Sequence, residues 1–129
     1  ELANELGNLV SRVTALCAKT GFGEAPAEAV PEAPFVYHEA WERFAYDEAI
    51  GALRSVVVGL NRRIEETRPW ELLKSGDALT LEALLREWLK DIRCVAYWLS
   101  PFVPDAAERI LNALARPDIP SGAVFPRLQ

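Results

Sequence analysis

Apolar residues recur at helical spacing through almost the whole chain. The stripe starts with Leu2, Leu6 and Leu9, three or four positions apart, and it returns from 37 to 64, from 79 to 99 and from 104 to 115. Such spacing places apolar side chains on one face of a helix. No segment alternates with the period of a strand. The pattern predicts an all-α fold, an antiparallel bundle of about five helices.

Prolines and glycines mark where these helices break. The segment "TGFGEAPAEAVPEAP" from 20 to 34 holds two glycines and three prolines and predicts a connector. A long helix follows from Tyr37, with an apolar stripe that continues through Phe44, an interruption near Tyr46 and an end before Pro69. A short helical turn is closed by Gly76, and "SPFVP" ends the next helix because proline cannot sit inside one. The tail "RPDIPSGAVFPRLQ" is expected to lie extended along the bundle, held by Val124 and Phe125.

Length and charge limit the kind of protein. The 129 residues predict one domain spanning 1–129, large enough to bury a core. No apolar run approaches the roughly 20 residues that cross a bilayer, and the first residues lack the pattern of a secretion signal. We therefore expect a cytoplasmic protein that does not contact membranes. The net charge of −5 argues against nucleic-acid binding by a broad basic surface but leaves room for a local contact.

The sequence offers no set of residues for catalysis or metal binding. His38 is the only histidine and sits at a predicted helix start, where it is interpreted as a solvated or capping residue. Cys17 and Cys94 lie among apolar helix residues, far apart, and are interpreted as reduced core thiols. A zinc site would need carboxylate ligands and is not expected. The sequence thus predicts a non-catalytic module without a cofactor of its own.

Carboxylates and phosphate loops give no stronger signal. Glu65, Glu66 and Glu71 are interpreted as a solvated helix surface. The segment "GFGEAP" has neither the spacing nor the flanking strand of a phosphate-binding loop.

Asn8 and Arg12 form the first candidate site. Residues four apart on a helix are neighbours, and both lie on the flank of the apolar stripe of the first helix. An amide beside a guanidinium offers several donors and an acceptor, which suits the polar edge of an unpaired base. A surface hydrogen bond or a salt bridge to another helix explains the same spacing, so both interpretations stay open.

The second candidate site is the corner in "NRRIEETRPWEL". The residue before a proline is pushed out of the helical region, so Arg68 must leave the helix axis. Trp70 then follows at the bend, where a neighbouring helix cannot cover it fully. An indole in this position can stack on a base. The alternative is a tryptophan packed in the core, although Leu72 and Leu73 can fill that place.

Four segments together resemble the anticodon-binding helical domain of methionyl-tRNA synthetases. They are "ELANELGNLVSRV", "LNRRIEETRPWEL", "LSPFVPDAAERI" and "VFPRL", in the order of the family and across nearly the whole chain. The first two are the more specific, and the third is shared with related class I synthetases. The resemblance implies that Asn8 and Arg12 contact anticodon bases and that Trp70 stacks on the first of them. Asn61 and Pro69 match as supports of the corner.

The same resemblance implies partners and limits. The partners would be the anticodon loop of methionine tRNA and a catalytic domain of the same polypeptide, which would use ATP and in some cases zinc. Phosphate contacts could come from the cations near the corner, which are equally plausible as solvated charges; these are Arg62, Arg63, Arg68 and Lys74. With no methionine and one histidine, the chain lacks the adenylate motifs Lys-Met-Ser-Lys-Ser and His-x-Gly-His.

Three hypotheses follow. The chain is the excised anticodon reader of a methionine–tRNA ligase, a stand-alone RNA- or protein-binding descendant without aminoacylation activity, or an interaction module whose Trp70 is core. The resemblance does not explain the acidic, Pro/Ala-rich connector.

Overall fold

The computed structural model describes residues 2–118, and these form helices joined by loops, with no strand among them. The all-α prediction is confirmed. The predicted tail from 119 onward, including Val124 and Phe125, lies outside the described residues. The helices in chain order are α1 (Leu2–Thr20), α2 (Phe35–Glu42), α3 (Tyr46–Thr67), α4 (Pro69–Ser75), α5 (Ala78–Leu99) and α6 (Pro104–Ala115).

Helix α1 runs parallel to α3, whereas α3, α5 and α6 follow one another antiparallel through short connections. Two contacts establish the parallel register, because Glu5 pairs with Arg54 and Arg12 with Asn61, in each case 49 positions apart. In the first half of α5, Arg86 contacts Glu24, just after the end of α1, so α1 and α5 are antiparallel. A parallel pair of helices needs a long return segment, and the connector supplies it.

The connector follows α5 along most of its length. Its backbone carbonyls accept hydrogen bonds from α5: Ala29 from Arg93 at 2.6 Å, Pro31 from the indole of Trp98 at 2.9 Å. Glu24 begins the series with an ion pair to Arg86 at 2.8 Å. Because prolines and alanines hold an extended path, the carbonyls stay available to side chains of α5. The predicted connector is confirmed, and it is bound rather than free.

The long helix predicted from Tyr37 is interrupted just before Tyr46. Helix α2 ends in a Schellman motif, in which the Ala45 amide donates to the Ala40 carbonyl at 2.8 Å. Phe44 occupies the left-handed position of this motif with φ 58°, and its side chain is exposed. The prediction that Phe44 continues the apolar stripe is therefore wrong, because the chain leaves the helix one residue earlier.

The core lies between α1, α3, α5 and α6, and its largest buried side chain is Trp88, 1% exposed. Both cysteines are free thiols, and Cys17 is buried in the core as predicted, whereas Cys94 is only half-buried, so the prediction of a core thiol is wrong for Cys94. Burial, followed by the nearby Asp118 carboxylate, raises the pKa of Cys17 from an ordinary 9.0 to about 12. Between residues 2 and 118, no helix has the length and apolar character that crossing a bilayer requires.

His38 does not cap a helix. It lies within α2, exposed, with its ring edge-on to Trp98 at 5.2 Å between centroids, and Pro34 precedes the helix instead. The solvated half of the interpretation is confirmed and the capping half is wrong.

Candidate nucleic-acid interface

The corner between α3 and α4 is made by a left-handed residue. Arg68 has φ 56° and ψ 62°, closes α3 through its amide to the Ile64 carbonyl at 3.1 Å, and precedes Pro69. Side chains other than glycine rarely adopt this conformation, which costs roughly 1–2 kcal/mol. Proline suits the next position because the first amides of a helix have no partner within the helix. The expected departure of Arg68 from the helix axis is confirmed.

The side-chain pattern of α4 leaves Trp70 on the outside. Pro69 is buried, and Leu72 and Leu73 pack against the core, so these three define the inner face. Trp70 lies on the flank of this face and remains 39% exposed. Leucines thus fill the core position that the alternative interpretation gave to the tryptophan. A large aromatic face is available to a flat ligand directly after the bend.

Arg12 reaches from α1 to the last part of α3. One terminal nitrogen of its guanidinium lies 2.8 Å from a Glu65 carboxylate oxygen, and the other donates to Asn61 at 3.4 Å. The Arg12 side chain nevertheless stays 39% exposed. Since Glu65 is five residues before Trp70, this network places the guanidinium close to the corner. Helix α1 packs beside the end of the long helix, as the predicted site requires.

Asn8 lies one turn before Arg12 on α1 and is exposed. The register of 49 positions between α1 and α3 sets Asn8 level with Val57, in the middle part of α3. Arg12 lies one turn nearer the corner that carries Trp70, and it makes the salt bridge to another helix that the alternative interpretation gives. All three side chains are at least partly accessible to solvent, and their common role as base contacts stays a prediction.

The four predicted phosphate contacts divide into two kinds. Arg63 pairs with Asp91 at 3.0 Å and with Glu87 at 3.5 Å, both on α5, and Arg68 pairs with Glu71. Two cations are left without an ion pair to any residue between 2 and 118, Arg62 and Lys74. Exposed ion pairs of this kind contribute little energy, so Arg63 and Arg68 can exchange their carboxylate partners for another anion.

Sequence reasoning did not identify Glu65 as part of this site. It is exposed, as interpreted from the sequence, but it holds Arg12. Its partner, Arg12, is 53 positions away in the sequence. No local pattern predicts this contact, because it depends on the parallel register of α1 and α3.

Comparison with known proteins adds an independent observation. A family model described as the anticodon binding domain of methionyl tRNA ligase matches residues 23–122, a range that includes the corner but not α1. The methionine–tRNA ligase of Synechocystis sp. is 32% identical over 127 residues, covering 88% of this chain and 24% of its own length. That of Enterococcus faecalis is 32% identical over 128 residues, covering 88% and 19%.

A more distant relative matches nearly all of the chain. The methionine–tRNA ligase of Thermotoga maritima is 27% identical over 133 residues, which cover 94% of this chain and 21% of that protein. The chain thus spans about a quarter or less of the length of these curated relatives.

Proposed function

We propose, because this chain belongs to the family of anticodon-binding domains of methionyl tRNA ligase, that it reads the CAU anticodon of methionine tRNA. The observation that carries the proposal is the partly exposed indole of Trp70 at a corner that begins three residues after Glu65, the partner of the Arg12 guanidinium. Sequence-specific RNA recognition generally uses unpaired loop bases, stacked on aromatic rings and hydrogen-bonded at their edges. An anticodon loop presents bases in that way.

Trp70 stacks on the first anticodon base. Aromatic stacking contributes about 1–3 kcal/mol per base. The buried Pro69 and the two leucines of α4 that pack against the core hold the backbone at Trp70 in place. The tryptophan therefore loses little conformational freedom when a base stacks on it. The indole hydrogen bonds to nothing between residues 2 and 118, which leaves its N–H available to the RNA.

Asn8 and Arg12 bind the polar edges of the bases. Guanidinium groups carry five N–H donors in a planar fork, and Arg12 directs part of this set to Glu65 and Asn61. The side chain is 39% exposed, so the remaining donors are accessible to a ligand. Asn61 and Glu65 therefore position the fork, and Asn8 supplies an acceptor and two donors one turn away. Planar recognition of this kind depends on arginine and is not reproduced by lysine.

The surrounding cations supply phosphate contacts in two grades. Arg62 and Lys74 lack ion pairs within residues 2–118 and are free to meet the backbone of the loop. Arg63 and Arg68 would have to share their carboxylate partners with a phosphate, so their contribution is smaller.

The wider protein is proposed to be a methionine–tRNA ligase. Its catalytic domain would lie in the same polypeptide and would attach methionine to the tRNA with ATP, and any zinc would be held there. This chain contributes the choice of tRNA and no catalytic residue. Such an enzyme acts in the cytoplasm.

Tryptophan fluorescence tests the proposal directly. Titration of the wild-type chain with a CAU stem-loop should quench emission as the first base stacks on Trp70. The Trp70→Leu variant should lose this quenching, while a Trp98→Phe variant, changed at another partly buried tryptophan, should retain it. Equal quenching in wild type and Trp70→Leu would refute the stacking role.

A further inference from the structure

A shallow groove runs along the outer face of α3, away from the corner. It is lined by Gly51, Arg54, Ser55, Val58, Gly59 and Arg62. These positions recur three and four residues apart, so they share one helix face. A methyl group placed on Gly51 or Gly59 would meet no atom within 4 Å, which means that the floor of the groove is open to solvent.

Two arginines of this groove lie on either side of Asn8. The register between the helices sets Asn8 level with Val57, so Arg62 is about one helical turn nearer the corner and Arg54 about one turn farther from it. At 1.5 Å per residue the two arginines are separated by about 12 Å along the axis. Exposed Val58 lies between the two arginines on α3 and lines the same groove.

We infer that Arg54 and Arg62 bind the backbone phosphates on the two sides of the nucleotide that Asn8 contacts. This inference rests on the proposed function and extends it from the bases to the path of the RNA strand. The strand passes from Trp70 over Arg12 and Asn8 into the α3 groove. The ligand class is a single-stranded phosphodiester backbone.

Charge and exposure support this occupant. Arg62 makes no ion pair with residues 2–118. Arg54 pairs with Glu5 at 3.1 Å, but the Arg54 side chain is 58% exposed and the Glu5 side chain only 31%. The Arg54 guanidinium is thus on the more exposed side chain of the pair, and the donors that Glu5 does not bind are available to a phosphate. An exposed pair of this type is weak enough for a phosphate to compete with it.

The groove suits a backbone better than a base. Its lining has small side chains between the two cations and no aromatic ring. The groove itself therefore offers no ring for base stacking, whereas close approach of a sugar–phosphate chain is possible where glycine takes the place of a side chain.

The salt dependence of binding tests the inference. The affinity for a CAU stem-loop is measured by fluorescence anisotropy over a series of salt concentrations for wild type, Arg54→Gln and Arg54→Lys. Loss of one single-strand phosphate contact should reduce the slope of log affinity against log salt by about 0.7. Arg54→Gln should show this reduction, and Arg54→Lys, which keeps the charge, should not.

Two further variants separate a contact from a structural effect. Arg109→Gln removes an exposed arginine of α6 that has no ion pair within residues 2–118, and its slope should match wild type. Glu5→Gln removes the same ion pair as Arg54→Gln but leaves the guanidinium, so it should retain the wild-type slope. An unchanged slope in Arg54→Gln, or an equal reduction in Glu5→Gln or Arg109→Gln, overturns the inference.

The same titrations keep the two proposals apart. The ratio of wild-type affinities for CAU and for a loop with one changed base reports anticodon reading. The slope change in Arg54→Gln reports the phosphate contact. If the wild type does not discriminate between loops but Arg54→Gln shows the slope change, the proposed function is refuted and the phosphate contact stands. If the wild type discriminates but the slope does not change, the phosphate contact is refuted and the proposed function stands.

Discussion

The Arg12 guanidinium lies 2.8 Å from the Glu65 carboxylate, which joins the first helix of the bundle to the third just before the corner at Arg68. Both side chains remain partly exposed, so the pair contributes little to stability, at most about 1 kcal/mol. Its main consequence is orientation, because a long side chain that would otherwise sample many rotamers is held against Asn61 and Glu65, in the last part of α3 before the corner.

Replacing Glu65 separates orientation from charge. In Glu65→Ala the guanidinium loses its fixed partner, so discrimination between CAU and a changed loop should fall by about 1 kcal/mol, the size of a typical hydrogen-bond contribution. Glu65→Gln keeps an acceptor and should retain most of it. Binding constants of both variants for both loops check this. Discrimination by Glu65→Ala equal to that of wild type would show that Arg12 does not need the carboxylate.

Arg12→Lys should weaken discrimination while leaving the overall charge unchanged. An ammonium group is a point charge and cannot bind Asn61, Glu65 and a base edge with a planar fork. We expect discrimination to fall and the salt slope to stay the same. Isothermal titration with the two loops at several salt concentrations measures both quantities. If Arg12→Lys discriminates between the loops as well as wild type does, the planar guanidinium is not needed, and the role of Arg12 would be that of a positive charge near a phosphate.

Arg68 allows a test of the corner itself. Because its φ is 56°, a β-branched residue should be strained there, and glycine should not. Arg68→Val should lower the free energy of unfolding by about 1–2 kcal/mol relative to Arg68→Gly. Urea unfolding of both variants gives the difference. Equal stabilities would mean that the bend relaxes, and the position of Trp70 would then not be fixed by it.

Cys17 predicts a loss of stability at high pH. Its pKa is raised to about 12 in the folded chain by burial and by Asp118, whereas an unfolded thiol ionises from about 9.0. Above that pH the unfolded state binds fewer protons, so the free energy of unfolding falls as the pH rises from 9 toward 12. The free energy of unfolding should fall by at most about 1.4 kcal/mol per pH unit in this range.

A Cys17→Ala variant isolates this contribution. It should show a smaller decline over the same pH range, since the other titrating groups are common to both proteins. Chemical unfolding at successive pH values provides the comparison. Parallel curves for wild type and variant would exclude the thiol as the cause.

The connector should loosen when one indole hydrogen bond is removed. Trp98→Phe deletes the donor to the Pro31 carbonyl and should cost about 1 kcal/mol. Cleavage by a glutamate-specific protease at Glu28 or Glu32 should become faster. Tyr97→Phe is the matched control, because the Tyr97 hydroxyl makes no hydrogen bond within residues 2–118. Unchanged cleavage in Trp98→Phe would mean that the remaining contacts hold the segment alone.

The helices were predictable because each carries its own signal. Apolar spacing, Gly76 and the prolines at 69 and 104 act within a few residues, and the observed bounds follow them closely. Phe44 was misplaced because a Schellman motif ends α2 without a glycine to announce it. The apolar spacing alone does not show that the Phe44 side chain will turn outward at such a bend.

The arrangement of the site was less predictable. Asn8, Arg12 and Trp70 could be named from their motifs, but their relative positions depend on the parallel register of α1 and α3. That register depends in turn on the connector, whose backbone carbonyls accept hydrogen bonds from α5. Its composition predicts an extended segment but not these contacts. Contacts between residues about 50 positions apart have no local signature.

Binding of anticodon stem-loops by wild type and Trp70→Ala is the most direct test of anticodon reading. At one stated salt concentration, wild type should prefer CAU over a loop with one changed base, and Trp70→Ala should lose roughly 1–3 kcal/mol of that preference. The unfolding midpoint of the variant should stay near that of wild type, because the indole is not part of the core. Equal affinity of wild type for all loops, unaffected by the substitution, would contradict the reading of nucleotides at this corner.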